Sequence, residues 1–294
     1  MMVILIVGIF GNINIIMATV RKKHLKTKIH LMICTMSVMN TISICFEVIS
    51  AIRMFLHIES MPRSSCFKFI WVYLVVFVSE LIVGFAVALD RLVAVLYPMS
   101  YDKVSSYASI PRILFISFLV GAGPVIASVF YLDDEVLPVC NPPIVFPWEV
   151  YTYWNALIII ISLAILVTYT VVLRGMHRLE KVQINLRQLR ITRILKLSVL
   201  TLACTKFSAV VITMVIPFVF SEPLRDMIAT FCVLAVSIEY GINYWLLLIR
   251  KDDTYRRAFL EQLGYRKVAP KEAWVNESQV RQQSGATKTD ERLG

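Results

Sequence analysis

Charge is what this chain has least of. Only 17% of its 294 residues are Asp, Glu, Lys or Arg, against about 25% in a soluble domain. Hydrophobic residues reach 58% and the mean hydropathy is +0.71, beyond the roughly 45–50% apolar content of a soluble fold. So many apolar side chains find no place in an aqueous domain, which excludes an ordinary soluble fold and leaves a bilayer as their destination. Histidine is scarce too. His24, His30, His57 and His177 are the whole supply, they fall at helix ends or in loops, and their spacing suits no metal ligand set. No metal, cofactor or hydrolase signature is expected. The chain lacks an internal repeat of the kind that builds transporters from paired halves. Its first apolar run lacks the positive leader and small-residue cleavage site of a secretory signal, so it reads as a retained helix.

What is abundant is apolar sequence in long runs. A helix needs about 20 mostly apolar residues to cross the roughly 30 Å hydrocarbon core. Seven runs qualify: Met2–Val20, Ile29–Phe55, Cys66–Leu89, Ile113–Leu132, Tyr153–Leu173, Ile194–Phe220 and Met227–Ile249. The fold expected is an all-α membrane protein, a seven-transmembrane helix bundle over residues 1–250. After it, Tyr255, Phe259 and Leu263 recur at i, i+4 and i+8 with arginines beside them, the pattern of a short amphipathic eighth helix lying on the interface over 251–264. Gly264 is placed to end it. Residues 265–294 are polar and are expected to form a disordered cytoplasmic tail.

Basic residues collect on the cytoplasmic side of membrane proteins. Here 25 of the 30 Lys and Arg lie in the segment after helix one, in Arg91–Arg112, in Arg174–Lys196 and after Ile249. The connector Asp133–Thr152 has none of them but carries Asp133, Asp134, Glu135 and Glu149. The expected orientation is an extracellular N-terminus and a cytoplasmic C-terminus, multi-pass in the plasma membrane. This bias accounts for the formal charge of +10, so membrane lipid rather than nucleic acid is the partner it implies. Cys34, Cys45, Cys204 and Cys232 fall inside membrane helices. Only Cys66 and Cys140 fall on the extracellular side, where disulfides persist, and the two are expected to be bonded.

Helix three ends Asp90-Arg91-Leu92-Val93-Ala94-Val95-Leu96-Tyr97-Pro98-Met99-Ser100-Tyr101. This run resembles the D-R-x-x-A-V-x-x-P-x-x-Y signature of rhodopsin-like G-protein-coupled receptors. Gly11-Asn12 resembles the Gly-Asn of their first helix. A narrower likeness rests on Arg63-Ser64-Ser65-Cys66, Ile49-Ser50-Ala51-Ile52 and the Cys140-Asn141-Pro142-Pro143 that closes the acidic loop. In these the chain is similar to the nematode serpentine chemoreceptors of class sx. The resemblance implies a receptor without catalytic activity that senses an extracellular small molecule or peptide and activates a heterotrimeric G-protein. Asp90, Arg91, Pro98 and Tyr101 would serve that coupling, and a disulfide would join Cys66 to Cys140. Cys66 and Arg91 are 25 residues apart, about 37 Å of helix, which places them at opposite ends of one span. The alternatives are an odorant-gated channel or a membrane transporter; the charge bias and the Asp-Arg run speak against the first and the missing repeat against the second.

Departures from the receptor pattern are equally plain. Asn40 stands where the family's helix-two acid is expected, helix six has no Cys-Trp-x-Pro, and helix seven reads Asn243-Tyr244-Trp245-Leu246-Leu247 in place of Asn-Pro-x-x-Tyr. The usual activation switches are therefore not carried over. For the ligand, the family's pocket position points to Tyr73 and Phe77 on helix three, Glu47 and Arg53 on helix two, and Trp148, Tyr151, Trp154 and Asn155 near helix five. Tyr73 occupies the place of the amine receptors' aspartate, so an amine held by that salt bridge is not expected. Glu80, Lys206 and Glu239 fall near the middle of their spans, where a charge costs about 2.5–3.5 kcal/mol on insertion scales. They are expected to face inward and form a polar cluster with Asn40 and Asn243. In it Lys206 would replace a bound ion by pairing with one carboxylate, the other holding or sharing a proton.

Overall fold

The computed structural model describes residues 2–58, 60–97, 101, 108–181, 186–219, 222–249 and 253–264. Seven long helices dominate them: α1 (Met2–Arg21), α2 (Lys28–Phe55), α3 (Arg63–Leu96), α4 (Ser109–Val129), α5 (Trp148–Lys181), α6 (Leu186–Val219) and α7 (Glu222–Ile249). A short α8 (Asp253–Gln262) follows, and Pro142–Val145 forms a single helical turn ahead of α5. Six of the long helices are long and apolar enough to cross a bilayer; in α6 the apolar stretch, Val199–Val215, is shorter. At 34 residues, about 51 Å, α6 still has the length to span. Several helices outrun the apolar runs of the sequence. Backbone hydrogen bonding does not stop at the edge of the hydrocarbon, so α3 starts before Cys66 and ends after Leu89, while α5 and α6 continue into the basic Arg174–Lys196 segment.

The bundle is built around α3, which packs against α2, α4, α5 and α6, while α1 closes against α2 and α7. Its outward face is apolar. Phe115, Leu119, Ile126, Ile160 and Val167 are all exposed, which is tolerable only where lipid covers them. Close helix contacts depend on small residues. A Cβ on Gly121 of α4 would lie 2.6 Å from the Val75 carbonyl oxygen of α3, and backbone cannot retreat. Gly11 plays the same part for α1, where a Cβ would meet Tyr244 of α7 at 2.6 Å. Its neighbour Asn12 donates to the carbonyls of Gly8 at 3.0 Å and Tyr240 at 2.8 Å. The Gly-Asn pair thus ties α1 to α7 by one close approach and one side-chain bridge.

At the Cys66 end, strand β1 (Met61–Pro62) pairs antiparallel with β2 (Val136–Leu137), Met61 opposite Leu137. At the other end α8 packs against α1 and α7. Tyr255, Ala258 and Phe259 are buried there beside Ile15, Leu25 and Tyr244, and Tyr255 shares a hydrogen bond with Thr19 at 3.2 Å. Leu263, the third residue of the apolar stripe, lies past the helix and is exposed. Gly264 follows with φ of +84°, a conformation glycine adopts without strain. Residues 265–294, read from sequence as a tail, fall outside the described residues.

Candidate functional site

Three polar or aromatic constellations are strung along α3. The first lies at its C-terminal end. Arg91 and Asp90 are both buried, and their side chains pair directly. Tyr101 closes the arrangement: its hydroxyl accepts from Arg91 Nη2 at 2.6 Å and donates to Asp90 Oδ2 at 2.9 Å. The guanidinium also sits over the Tyr101 ring, 5.4 Å from its centroid. Lys28 of α2 takes the remaining carboxylate oxygen, Oδ1, at 2.9 Å. Tyr169 of α5 is buried within electrostatic range of both Asp90 and Arg91. Charge-assisted hydrogen bonds of this kind contribute about 1.5–3 kcal/mol each, so Arg91 is held against its own helix. Pro98, expected to belong here, lies outside the described residues.

The second constellation is in the middle of the bundle. Lys206 of α6 reaches Glu80 of α3, Nζ to Oε2 2.5 Å, with both side chains fully buried. The ammonium also donates to the Phe77 carbonyl at 3.1 Å and lies 4.0 Å from the Phe77 ring centroid. Asn40 of α2 sits beside the Glu80 carboxylate, and Glu239 of α7 is buried within electrostatic range of Glu80 and Lys206. Of the five residues expected to cluster, Glu80 and Lys206 are in contact, and Asn40 and Glu239 are buried near them on two further helices. Asn243 is on α7 one turn from Glu239; its side chain is outside the described atoms.

The third is a pocket toward the Cys66 end, about 380 Å³ when the open space at its mouth is counted. Tyr73 and Phe77 of α3 and Trp154 of α5 form its aromatic wall; α6 contributes Ala209, Val210 and Thr213, and α7 contributes Cys232, Val233 and Val236. Pro142 covers it from the helical turn, two residues after Cys140, which is disulfide-bonded to Cys66 with a Cα–Cα distance of 5.5 Å. Phe146 of the same connector packs against Trp154, ring centroids 5.2 Å apart and planes tilted by 46°. Glu47 is buried behind Tyr73 and accepts its hydroxyl proton at 2.5 Å, while Tyr240 lies 3.3 Å from the same hydroxyl. Asn155 is buried next along α5 and is not among the lining residues. Arg53 bonds to the Ile58 carbonyl, and Trp148 is exposed with its ring 6.0 Å from that of Tyr151. Tyr73, Phe77 and Trp154 thus meet in one cavity, and the other ligand candidates stand outside it.

The motif at the end of α3 sits at the end of a seven-helix bundle, and the Cys66–Cys140 bond clamps the long connector over the other end. The family described as serpentine type 7TM GPCR chemoreceptor Srsx matches residues 5–263. The chain belongs to that family. It is a multi-pass membrane protein and a chemosensory G-protein-coupled receptor by kind, and members of this family are receptors. Comparison with curated proteins gave no match.

Three contributors to this Srsx receptor's site were not read from its sequence. Lys28 sits in a basic segment that the topology rule already explained, so nothing marked it as the partner of Asp90. Tyr240 looks like any apolar-helix tyrosine until α7 is rotated against α3. Arg63 lies next to a cysteine that drew the attention, yet it pairs with Asp133 and Glu135 of the acidic connector. Its neighbour Ser64 bonds Asp134. The Arg-Ser-Ser-Cys run that carried the family likeness is thus the anchor for the connector that covers the cavity.

Proposed function

We propose that this receptor sits in the plasma membrane with its Cys66 end outside and its Arg91 end in the cytosol, takes an extracellular ligand into the Tyr73–Phe77–Trp154 cavity, and passes the signal to a heterotrimeric G-protein through Arg91. The orientation rests on the charge bias, with 25 of 30 basic residues at one end. A tag fused after Gly294 should be labelled by antibody only after permeabilisation; staining of intact cells would reverse the assignment. Residues 1–250 form the receptor unit in this reading, 251–264 a helix at the cytosolic surface and 265–294 the tail.

The observation that carries the proposal is the Asp90–Arg91–Tyr101–Lys28 arrangement at the opposite end of α3 from the cavity. It is a restraint on Arg91, the one buried arginine among the described residues, and a signal from the cavity need only shift α3 slightly against α2 to weaken it. Asp90→Asn removes the charge that holds Arg91 and Lys28 while keeping the side chain's size. Losing one charge-assisted contact shifts the resting–active balance by about tenfold. Ligand-independent second-messenger output should rise accordingly in cells expressing the variant at matched surface level. Arg91→Ala should be silent in the same assay. Unchanged basal output with Asp90→Asn would reject the restraint, and normal coupling by Arg91→Ala would reject the assigned role.

A further inference from the structure

Granting the ligand cavity just proposed, its wall leads directly to the buried ion pair. Phe77 belongs to both. It lines the cavity beside Tyr73 and Trp154, whose ring centroids are 6.2 Å and 5.4 Å from its own. The same ring lies 4.0 Å from Lys206 Nζ, and the Phe77 carbonyl accepts from that ammonium at 3.1 Å. Tyr73 gives the wall a second, longer connection. Its hydroxyl is 3.3 Å from that of Tyr240, whose ring centroid is 5.6 Å from Lys206 Nζ.

Lys206 is at the same time a tie between helices. It extends from α6 to Glu80 on α3, with both side chains inaccessible, and Leu202, one turn before it, packs against Gly84 of α3. An ammonium that has left water depends on whatever negative potential the protein supplies. The Glu80 carboxylate and the Phe77 carbonyl supply part of it, and the face of the Phe77 ring adds to them. In a desolvated setting such a ring face is worth roughly thirtyfold in an equilibrium constant. A ring drawn toward a ligand gives up that contact, and a ring pressed onto the ammonium strengthens it. We infer that Phe77 is a positioning residue for signalling: its ring makes the strength of the α3–α6 tie at Lys206 depend on what occupies the cavity.

The contact is tested by changing the ring's electrons and not its shape. Phe77 is replaced, by nonsense suppression in the full-length receptor, with 4-fluoro-, 3,5-difluoro- and 3,4,5-trifluorophenylalanine. Each fluorine draws electron density from the ring face and weakens its hold on a cation, while a purely steric role is left almost unchanged. In lipid nanodiscs the melting midpoint should fall with each fluorine, by about 2–8 °C in all. In Lys206→Met with Glu80→Gln, which has no ammonium at this place to hold, the series should be flat. A flat series in the parent, or an equal slope in both backgrounds, would overturn the contact.

Occupancy is tested with a tethered probe, because Cys232 is a free thiol on the cavity wall. With Cys34, Cys45 and Cys204 replaced by Ala, it is the one thiol outside the disulfide. Benzyl methanethiosulfonate then places an apolar ring in the cavity: the thiolate attacks the sulfenyl sulfur, a mixed disulfide forms and methanesulfinate leaves. On labelling, the slope of the fluorine series should change by at least about twofold. An unchanged slope, or a Cys232 that the reagent does not reach, would overturn the dependence on occupancy. These readouts need no G-protein, and the output of Asp90→Asn is read in parallel. A slope that responds to the probe beside a silent Asp90→Asn rejects the coupling reading alone, whereas an unresponsive slope beside a signalling Asp90→Asn rejects the role of Phe77 alone.

Discussion

Lys206→Met is expected to destabilise the folded receptor by about 3–5 kcal/mol, the usual cost of removing one partner from a buried ion pair. The pair is inaccessible on both sides, at 2.5 Å, and the ammonium is also the donor to the Phe77 carbonyl. Methionine fills much the same volume, so the loss reports charge rather than a cavity. Glu80 would then be a carboxylate in the centre of the bundle with Glu239, also acidic, within electrostatic range. Lys206→Met with Glu80→Gln should recover part of the loss, because the stranded charge is gone. The measurement is the melting midpoint of detergent-solubilised receptor together with the fraction delivered to the cell surface. A double variant no better than Lys206→Met alone would reject direct pairing as the source of the effect.

The second large effect belongs to the disulfide. Cys140→Ser should lower stability by about 2–4 kcal/mol, since the bond closes a sequence separation of 74 residues. Its loss also releases the connector that brings Pro142 over the cavity, leaving the Arg63 ion pairs and the two-residue strand pairing to hold it. Those pairs are partly exposed, and exposed salt bridges contribute only about 0–1 kcal/mol. Surface expression and melting midpoint should therefore fall together. Cys66→Ser, and the double replacement, should match Cys140→Ser within error, because all three remove the same bond. A single variant that melts like the parent would show that the cysteines do not depend on each other.

How much of this could be read in advance differs element by element. The seven helices were legible because a bilayer demands about 20 apolar residues per crossing, a signal too long to arise by accident. Asp90-Arg91 and its following proline and tyrosine were legible as a contiguous motif. The Lys206–Glu80 pair was legible for a different reason: a charge in mid-membrane is so costly that it must face inward and find a partner, and few partners existed. Glu47 illustrates the limit. Its depth suggested a ligand contact, but which neighbour it meets depends on the rotation of α2, which brings it to the Tyr73 hydroxyl, and it is not among the residues lining the cavity.

By itself, then, the sequence determined that the chain crosses the membrane, which residues sit at which depth, and which two cysteines share a compartment. These follow from length, hydropathy and charge, which are properties of segments and need no knowledge of neighbours. Tertiary structure alone decided that Lys28 pairs with Asp90, that Tyr240 joins Tyr73, and that α8 buries Tyr255 and Phe259 against α1 and α7. Each of these depends on how one helix is rotated and shifted against another. That rotation is fixed by side-chain packing across contacts such as Gly121 on Val75 and Gly11 on Tyr244, between residues far apart in the chain that no local pattern connects.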